Sequence, residues 1–363
     1  MNNTKIRILS VIILTVVIYI MILQSEHYLS EDLNVYEKIE VGDPFNYLII
    51  GDSIGRGAGA ERKELRWFNQ LEVLINDYSG SRAMRHLVVQ SGATAFEGLY
   101  QLQSSPKLQN MDLIFIVFGE NDRKFMEPEE FTFFYEKLIR NAKELNKDAE
   151  IITIIESPLK QEPFADAIKR ISVHYGAKCL DMRIPFKESG MLTEHLTSDM
   201  VHPNGNGYRL YANSVFELIK ENIRNEADIA VYPKSLTKND FFFLAEKADI
   251  AVNNGFIADV GSYVSRKPGD YLEYEFDGPI LGVNVIRSEV GGMMNVYIDG
   301  EYVRTLSTWW PFARERHLYI ASGLEDGHHS VRFEAIEDVS TKNTSQNSLL
   351  QIISIIVAKE KES

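Results

Sequence analysis

Short apolar runs alternate with longer amphipathic stretches from about residue 45 to residue 225. The apolar runs are short and nearly continuous, which is typical of strands that are covered on both faces. The predicted strands are Tyr47–Ile50, His86–Val89, Leu113–Phe118, Glu150–Ile155 and Ala177–Leu180. The predicted helices are Trp67–Tyr78, Glu129–Leu145, Phe164–Tyr175 and Tyr208–Ile223. This rhythm predicts an α/β domain in which a parallel sheet carries helices on both faces.

The pattern changes after about Asn225. From Asn239 to Lys359 the chain shows alternating residues and tight turns instead of long helices, and Tyr271–Phe276 alternates between apolar and polar positions. Asp299-Gly300 lies between two short strand-like segments. It predicts a two-residue hairpin, because both residues of such a turn need positive φ angles. We expect an all-β domain here, a sandwich of jelly-roll type.

The N-terminal segment Ile8–Leu23 is almost wholly apolar, and Lys5 and Arg7 precede it. This length approaches what a helix needs to span a bilayer, and the positive charges place the N-terminus on the cytoplasmic side. We therefore predict an uncleaved transmembrane helix with the rest of the chain outside the cytoplasm. A cleaved signal peptide with secretion is the alternative, although Met21–Gln24 offers no cleavage site of small residues.

Length and composition add limits to this picture. The 363 residues are enough for two domains and a tail, which we place as an anchor (1–30), the α/β domain (31–225), a linker (226–238) and a β-sandwich (239–363). The formal net charge of −14 argues against a nucleic-acid partner, because such proteins cluster lysine and arginine. The single cysteine, Cys179, cannot form an intrachain disulfide and is expected in the core.

The candidate chemistry begins at Ser53, which directly follows Gly51-Asp52 at the end of the first predicted strand. A serine in this place often only caps a helix. Far downstream, however, Asp199 precedes His202 by three residues. This spacing lets the carboxylate hold Nδ1–H of the imidazole, so that Nε2 can take the serine proton. The conjunction predicts a catalytic triad of Ser53, Asp199 and His202.

Acyl transfer also needs donors for the developing oxyanion. The natural candidates are the backbone N–H groups of Ser53 and Gly92 and the side-chain amide of Asn121. Each of these residues follows a predicted strand. Because the carboxyl ends of parallel strands meet at one edge of a sheet, we expect the donors and the triad to converge there.

Four further residues are candidates for substrate binding: Arg56, His195, Trp309 and Trp310. Arg56 lies near the nucleophile and suits an anionic group, although a surface ion pair is an equal reading. His195 precedes the triad pair and is also explained as a loop residue. The two tryptophans, with nearby aromatic residues, suit stacking on sugar rings, and core packing is the alternative.

Other titratable residues have structural interpretations. Asp122 is expected to start a helix, and Asp181 is a weaker alternative to Asp199 as the partner of the histidine. His328 and His329 are metal-ligand residue types, but no carboxylate or cysteine spacing supports a site around them. We predict neither a metal ion nor a cofactor.

With these residues in place, the chain resembles the SGNH (GDSL-like) hydrolase superfamily. Its first block matches Gly51-Asp52-Ser53, its second-block glycine matches Gly92, its third block matches Gly119-Glu120-Asn121-Asp122, and its fifth block matches Asp199 and His202. The motifs occur in the family's order over roughly the middle half of the chain. The resemblance implies a flavodoxin-like three-layer α/β/α fold, a metal-free esterase or acyltransferase reaction, and a shallow, open active site.

The second block departs from the family pattern. Gln90 stands where an asparagine is often found, and Ala93–Phe96 lacks a second glycine, which affects the geometry around Gly92 rather than the triad. The sequence Gly51–Gly55 also fits the nucleophile elbow of α/β-hydrolases. That fold needs several strands before its elbow, whereas a single predicted strand precedes Ser53.

The C-terminal turn pattern resembles, more loosely, the galactose-binding-like modules that accompany carbohydrate-active esterases. The leading hypothesis is thus a membrane-tethered, extracytoplasmic serine esterase that removes acyl groups, in the first place acetyl, from a carbohydrate. An O-acetyltransferase acting on a cell-surface polysaccharide would use the same triad. A carbohydrate-binding surface protein with a relict enzyme domain is the third reading. The polymer, the acyl chain and the oligomeric state stay open.

Overall fold

The computed structural model describes residues 15–16, 33–105, 107–237, 242–345 and 347–360. Apart from Thr15 and Val16, the predicted transmembrane segment lies outside the described residues. Within the part of the chain that is described, no helix is both long and apolar enough to cross a bilayer. The first helix is α1 (Val35–Val41), which begins at the side-chain cap Asn34 and ends at Gly42 with a φ of 83°.

The N-terminal domain alternates strands and helices. Its strands are β1 (Phe45–Gly51), β2 (Ala83–Val89), β3 (Leu113–Val117), β4 (Glu150–Ile155) and β5 (Lys178–Asp181). Its further helices are α2 (Trp67–Ser79), α3 (Ala95–Gln103), α4 (Pro128–Leu145), α5 (Glu162–Tyr175), α6 (Arg183–Glu188), α7 (Thr193–Leu196) and α8 (Gly205–Arg224). Two short 3₁₀ helices cover Lys63–Leu65 and Asp122–Lys124.

The five strands form one parallel sheet in the order β2-β1-β3-β4-β5. This is the flavodoxin-like order, in which the chain switches direction at β1 and β3 and ligands bind beyond the carboxyl ends there. Alternate residues of β1 point to opposite faces. Leu48 and Ile50 pack with α3, α4 and α5, whereas Tyr47 and Ile49 pack with α1, α2 and α8. The predicted α/β domain is confirmed.

Two local features of this domain differ from the expectation. The chain does not enter a long helix directly after Ser53. Instead it makes turns up to residue 62, and α2 begins only at Trp67. In addition, α3 was not predicted, since its interior carries Gly98, a poor helix former. That glycine has a packing role, because a Cβ placed on it would lie 2.5 Å from Cζ of Phe118.

The C-terminal domain is built from antiparallel strands. They are β6 (Phe242–Lys247), β7 (Val252–Asn254), β8 (Ile257–Asp259), β9 (Ser262–Ser265), β10 (Tyr271–Asp277), β11 (Ile280–Arg287), β12 (Gly292–Ile298), β13 (Glu301–Ser307), β14 (Arg314–Ser322), β15 (His328–Val339) and β16 (Leu350–Glu360). One sheet has the order β13-β12-β15-β10-β7 and the other β14-β11-β16-β9-β8, with β6 paired to β16. The two sheets enclose one apolar core, as expected for a sandwich.

The Asp299-Gly300 turn joins β12 and β13, with φ angles of 51° and 84° at its two residues. The predicted hairpin and the alternation in β10 are therefore confirmed. Residues 225–237 connect the two domains without a helix or strand of their own.

The sandwich packs directly on the catalytic domain. Phe96 of α3 contacts Tyr319 of β14, and their ring centroids lie 5.7 Å apart. Beside them, Arg316 and Glu97 form an ion pair whose Nη2–Oε2 distance is 2.8 Å, with 0% and 1% of the side chains exposed. Phe242, Leu244 and Ile280 belong to the same apolar cluster as α3 and α4. The interface therefore resembles a continuous core.

Candidate active site

Ser53 lies just beyond the carboxyl end of β1, where the chain turns sharply. The Asp52 carboxylate accepts the N–H of Ile54 at 2.7 Å, and Gly51 lies so close to β3 that an added Cβ would be 2.9 Å from the carbonyl oxygen of Val117. Ser53 itself is 7% exposed. The turn thus holds the hydroxyl in one place at the sheet edge.

His202 reaches the serine from a loop between α7 and α8. Its Nε2 lies 2.9 Å from Oγ of Ser53, and its Nδ1 lies 2.8 Å from Oδ2 of Asp199. The other oxygen of Asp199 accepts the backbone N–H of His202 at 2.7 Å. These contacts orient the imidazole as a base toward the serine. The three residues predicted as a triad are brought together.

The carboxylate of Asp199 is suited to stay ionised. Burial works to raise its pKa, but the backbone and side-chain hydrogen bonds from His202 outweigh this effect, so the pKa lies below its ordinary value. Asn204 caps α8 by accepting the N–H groups of Asn206 and Gly207 at 2.9 and 3.1 Å. The loop that carries the histidine is therefore tied to the start of a long helix.

The three predicted oxyanion donors lie at the ends of β1, β2 and β3. Gly92 has a φ of 74°, which a residue with a side chain rarely adopts. Within the described residues, neither the Ser53 nor the Gly92 N–H donates to another group. Nδ2 of Asn121 donates one hydrogen to Oδ2 of Asp52 at 2.6 Å, which leaves its second hydrogen for a ligand.

A buried carboxyl group stands behind this amide and was not predicted from the sequence. Glu156, at the end of β4, is 0% exposed and accepts the N–H of Glu120 at 2.8 Å. Its carboxyl also hydrogen-bonds to Asp52. Burial, followed by the charge of Asp52, raises the pKa of Glu156 well above its ordinary value. Burial therefore favours the protonated form of the Glu156 carboxyl beside Asp52, and Asp52 in turn accepts from Asn121.

This pair gives a pH-dependent stability. Burial raises the pKa of Asp52 to about 6 and that of Glu156 well above its ordinary value, so the folded chain binds these protons more tightly than the unfolded chain. The resulting stabilisation is present below the ordinary value of 4.5 for glutamate and is lost as the pH rises through the raised pKa. Because glutamine still donates a hydrogen bond but does not titrate, Glu156→Gln should flatten the fall in melting temperature with rising pH.

The measurement is thermal unfolding between about pH 5 and about pH 9, with the exposed Glu188→Gln as the matched control. The control should keep the wild-type slope. Equal slopes for wild type and Glu156→Gln would show that Glu156 is already ionised throughout this range.

Asp122 has the structural role that was expected. It is 0% exposed, and its two oxygens accept the N–H groups of Ala95 and Gly119 at 2.7 and 3.1 Å. Burial raises its pKa to about 7. Asp181 pairs with Arg183 at 2.6 Å, and Asp199 holds the histidine.

Residues 49–210 match the GDSL-like lipase/acylhydrolase family. This stretch contains the predicted triad, the three predicted oxyanion donors and all five parallel strands apart from the first part of β1. Residues 49–210 form a GDSL-like hydrolase domain. The chain is a carboxylic ester hydrolase, and this domain matches the family that its motifs indicated. No curated protein sequence matches it.

The likeness in fold extends over both domains. A two-domain esterase active on acetylated mannans is 18% identical, with 91% of this chain and 95% of that one covered and a TM-score of 0.68. A structure of such an esterase co-crystallized with mannopentaose gives 19% identity, coverages of 91% and 94% and a TM-score of 0.67. An acetylxylan esterase from Geobacillus stearothermophilus is 20% identical over 50% of this chain and 96% of its own, with a TM-score of 0.40.

The predicted binding residues of this GDSL-like hydrolase lie in different surroundings. Trp310 lies against the oxyanion glycine, since a Cβ placed on Gly92 would be 3.5 Å from Cη2 of the indole. Trp309 instead contacts Lys342, whose Nζ lies 5.6 Å from the centroid of the indole ring. The side chain of His195 is 60% exposed on α7. These three residues remain predictions as substrate contacts.

Arg56 follows Ser53 within the same turn, and its N–H donates to the carbonyl oxygen of Asp52 at 3.0 Å. Its charge contributes to a lowered pKa of Arg314, after burial and the charge of Arg316. Arg56 therefore belongs to a positively charged region shared with the sandwich. This region was not predictable from the sequence, because its arginines come together only through packing of the two domains.

His328 and His329 form local contacts on the sandwich. Nδ1 of His328 lies 3.1 Å from Asp277, and Nδ1 of His329 lies 2.7 Å from Asp299. Among the described residues, the one group with a spacing that could hold a metal ion is Glu246, Glu315 and His317. Tyr100, Asn284 and Ser354 already donate hydrogen bonds to Glu246.

Proposed function

We propose that this hydrolase removes acyl groups, in particular acetyl, from a carbohydrate through an acyl-enzyme on Ser53. The observation that carries the proposal is the continuous hydrogen-bonded line from Asp199 through His202 to Ser53, with distances of 2.8 and 2.9 Å. Ser53 and Gly92 follow β1 and β2 at the same edge of the sheet, and within the described residues neither N–H donates a hydrogen bond. This arrangement supplies a nucleophile, a base and oxyanion donors for ester cleavage.

The reaction follows from these positions. Oγ of Ser53 forms a bond to the ester carbonyl carbon while its proton passes to Nε2 of His202. The oxyanion of the tetrahedral intermediate accepts hydrogen bonds from Ser53, Gly92 and Asn121. The bond to the sugar oxygen then breaks, and His202 returns the proton to that oxygen. Water attacks the acyl-enzyme with His202 again as base, which releases the carboxylic acid and free Ser53.

The carbohydrate part of the proposal rests on the sandwich. An indole ring is a stacking surface for a sugar, and Trp310 presents one beside the oxyanion glycine. The two-domain esterase with the same overall fold acts on acetylated mannans. We infer that the C-terminal domain is a galactose-binding-like, jelly-roll carbohydrate module. We further propose a cell-surface location, with the apolar segment 8–23 as the anchor, on the pattern of that segment and its preceding charges.

The test uses a protein that starts near residue 31. It measures the release of acetate from acetylated polysaccharides and oligosaccharides. We expect hydrolysis of acetyl esters, and slower turnover of p-nitrophenyl esters as the acyl chain lengthens. Binding of the polysaccharides without acetate release from any ester would contradict the proposal. Acetylated oligosaccharide acceptors appearing by mass spectrometry, at the expense of acetate, would assign the O-acetyltransferase reaction instead.

A further inference from the structure

Three arginines share one face of the sandwich next to the catalytic domain. Arg287 of β11 is directly opposite Arg314 of β14, and Arg316 follows two residues along the same strand. Residues that are paired or two apart on strands point to the same side. Like charges placed opposite each other in this way are destabilising unless something compensates them. We refer to Arg287, Arg314, Arg316 and the adjacent Trp310 as the arginine pocket.

The protein itself compensates only part of this charge. Within the described residues, Glu97 is the acidic group at ion-pair distance from the arginine pocket, and it pairs with Arg316. Burial, followed by the charge of Arg316, lowers the pKa of Arg287 to about 10. The pKa of Arg314 is lowered by burial and then by Arg316 and Arg56. This is a local positive surplus in a chain whose formal net charge is −14.

Several donors of the pocket lack acceptors. Nη1 of Arg316, Nε of Arg287 and Nε1 of Trp310 are all buried, and none has a hydrogen-bond partner among the residues that the structure describes. The side chain of Arg316 is 0% exposed. Buried donors without acceptors are costly and uncommon. Three of them in one place indicate a ligand that brings acceptor atoms.

The arginine pocket also borders a cavity, and it lies beside the predicted oxyanion donor Gly92. Arg287 and Arg316 line a cavity of about 250 Å³ between the sandwich and the catalytic domain, together with Gly92 and Thr94. Their guanidinium carbons lie 5.0 and 5.3 Å from the ring centroid of Trp310. A Cβ placed on Gly92 would be 3.7 Å from Nη1 of Arg316. A group bound here would sit next to the oxyanion site.

We propose that the arginine pocket binds an anionic group of the substrate, a carboxylate or a phosphate, next to the acylated position of the sugar. Guanidinium groups match both anions through charge-assisted hydrogen bonds. The inference rests on the proposed function, because it takes the acylated carbohydrate as the ligand. It narrows that substrate class to acidic polymers. A uronic acid would supply the carboxylate, and a polyol phosphate chain would supply the phosphate.

The experiment compares three acetylated substrates of similar length: a neutral mannooligosaccharide, an oligogalacturonate and a glycerol phosphate oligomer. We expect kcat/KM for at least one anionic substrate to exceed that for the neutral one by about tenfold or more at low salt. The comparison of the oligogalacturonate with the glycerol phosphate oligomer shows whether the pocket prefers a carboxylate or a phosphate. Equal or lower values for both anionic substrates would overturn the proposal.

Variants test whether the pocket causes this preference. The ratio of kcat/KM for the anionic substrate to kcat/KM for the neutral substrate should fall toward one in Arg287→Met and in Arg314→Met. The control is Arg332→Met, at a partly exposed arginine on β15, which should keep the wild-type ratio. A preserved ratio in both pocket variants would contradict the assignment.

Binding measurements separate this inference from the proposed function. Calorimetry with the Ser53→Ala protein and deacetylated oligogalacturonate or glycerol phosphate oligomers should show binding that Arg287→Met weakens about tenfold. If no ester is hydrolysed but this binding occurs, the proposed esterase function fails and the anion site stands. If esters are hydrolysed and neither anionic oligomer binds, the anion site fails alone.

Discussion

Replacing Ser53 with alanine should lower kcat for acetyl ester hydrolysis by about 10⁴-fold or more. The substitution removes the hydroxyl oxygen that lies 2.9 Å from Nε2 of His202, so the covalent intermediate cannot form. The oxyanion donors stay in place, and they would leave a small residual rate above that of water. Because the hydroxyl is small and makes its side-chain contact with the histidine, we expect the melting temperature to change little.

The measurement is release of p-nitrophenol from its acetate ester, with the exposed Ser104→Ala as a matched serine control. A phosphonate ester should add one adduct to the wild-type chain and none to Ser53→Ala when intact masses are compared. Turnover that persists in Ser53→Ala, or an adduct on another residue, would rule out Ser53 as the nucleophile.

Replacing Glu97 with alanine should reduce the free energy of unfolding by about 3–5 kcal/mol. The change leaves the guanidinium of Arg316 buried without its carboxylate, and neither side chain of this pair is more than 1% exposed. Removing one partner of a buried pair costs far more than the pair contributes as a whole. Urea unfolding followed by intrinsic fluorescence gives the free energy, and separate transitions would report each domain.

The matched control is Glu273→Ala, which breaks a partly exposed pair with Arg332 at 2.6 Å. Such a pair contributes about 1 kcal/mol or less. The double variant Glu97→Leu with Arg316→Met should recover most of the lost stability, since two apolar side chains replace the two charges. A loss below about 1 kcal/mol in Glu97→Ala would mean that water reaches Arg316.

The contacts among Ser53, Asp199 and His202 were predictable because their geometry is encoded over short stretches. Asp199 and His202 are three residues apart in one loop, and the loop itself fixes their contact at 2.8 Å. Ser53 directly follows a strand whose apolar run is plain in the sequence. The parallel topology then brings these two segments to the same edge of the sheet.

The supporting groups could not be found in the same way. Glu156 follows a strand, where an acid is usually solvated, and only packing against Asp52 and Glu120 buries it. Helix α3 was missed because Gly98 interrupts a short apolar pattern, and the reason for that glycine is the ring of Phe118. Such features depend on residues far apart in the chain, which local periodicity does not report.

The sandwich was predicted from its turns, and Trp309 and Trp310 were predicted to contact the substrate, but the packing of Trp310 beside Gly92 was not predicted. The Asp299-Gly300 hairpin needs only two adjacent residues with positive φ, so local sequence encodes it. The position of Trp310 against Gly92 depends instead on how two domains pack together. Stacking of both tryptophans on sugar rings stays a prediction.

The ion pair between Glu97 and Arg316 also limits which C-terminal domains could replace the present one. Glu97 lies on the helix that starts three residues after Gly92, so the bond to the sandwich holds the segment that carries an oxyanion donor. A replacement C-terminal module would have to present a cation at the position of Arg316, or be accompanied by loss of the acid at position 97. We therefore expect exchange of the C-terminal domain alone to disturb the segment that carries Gly92.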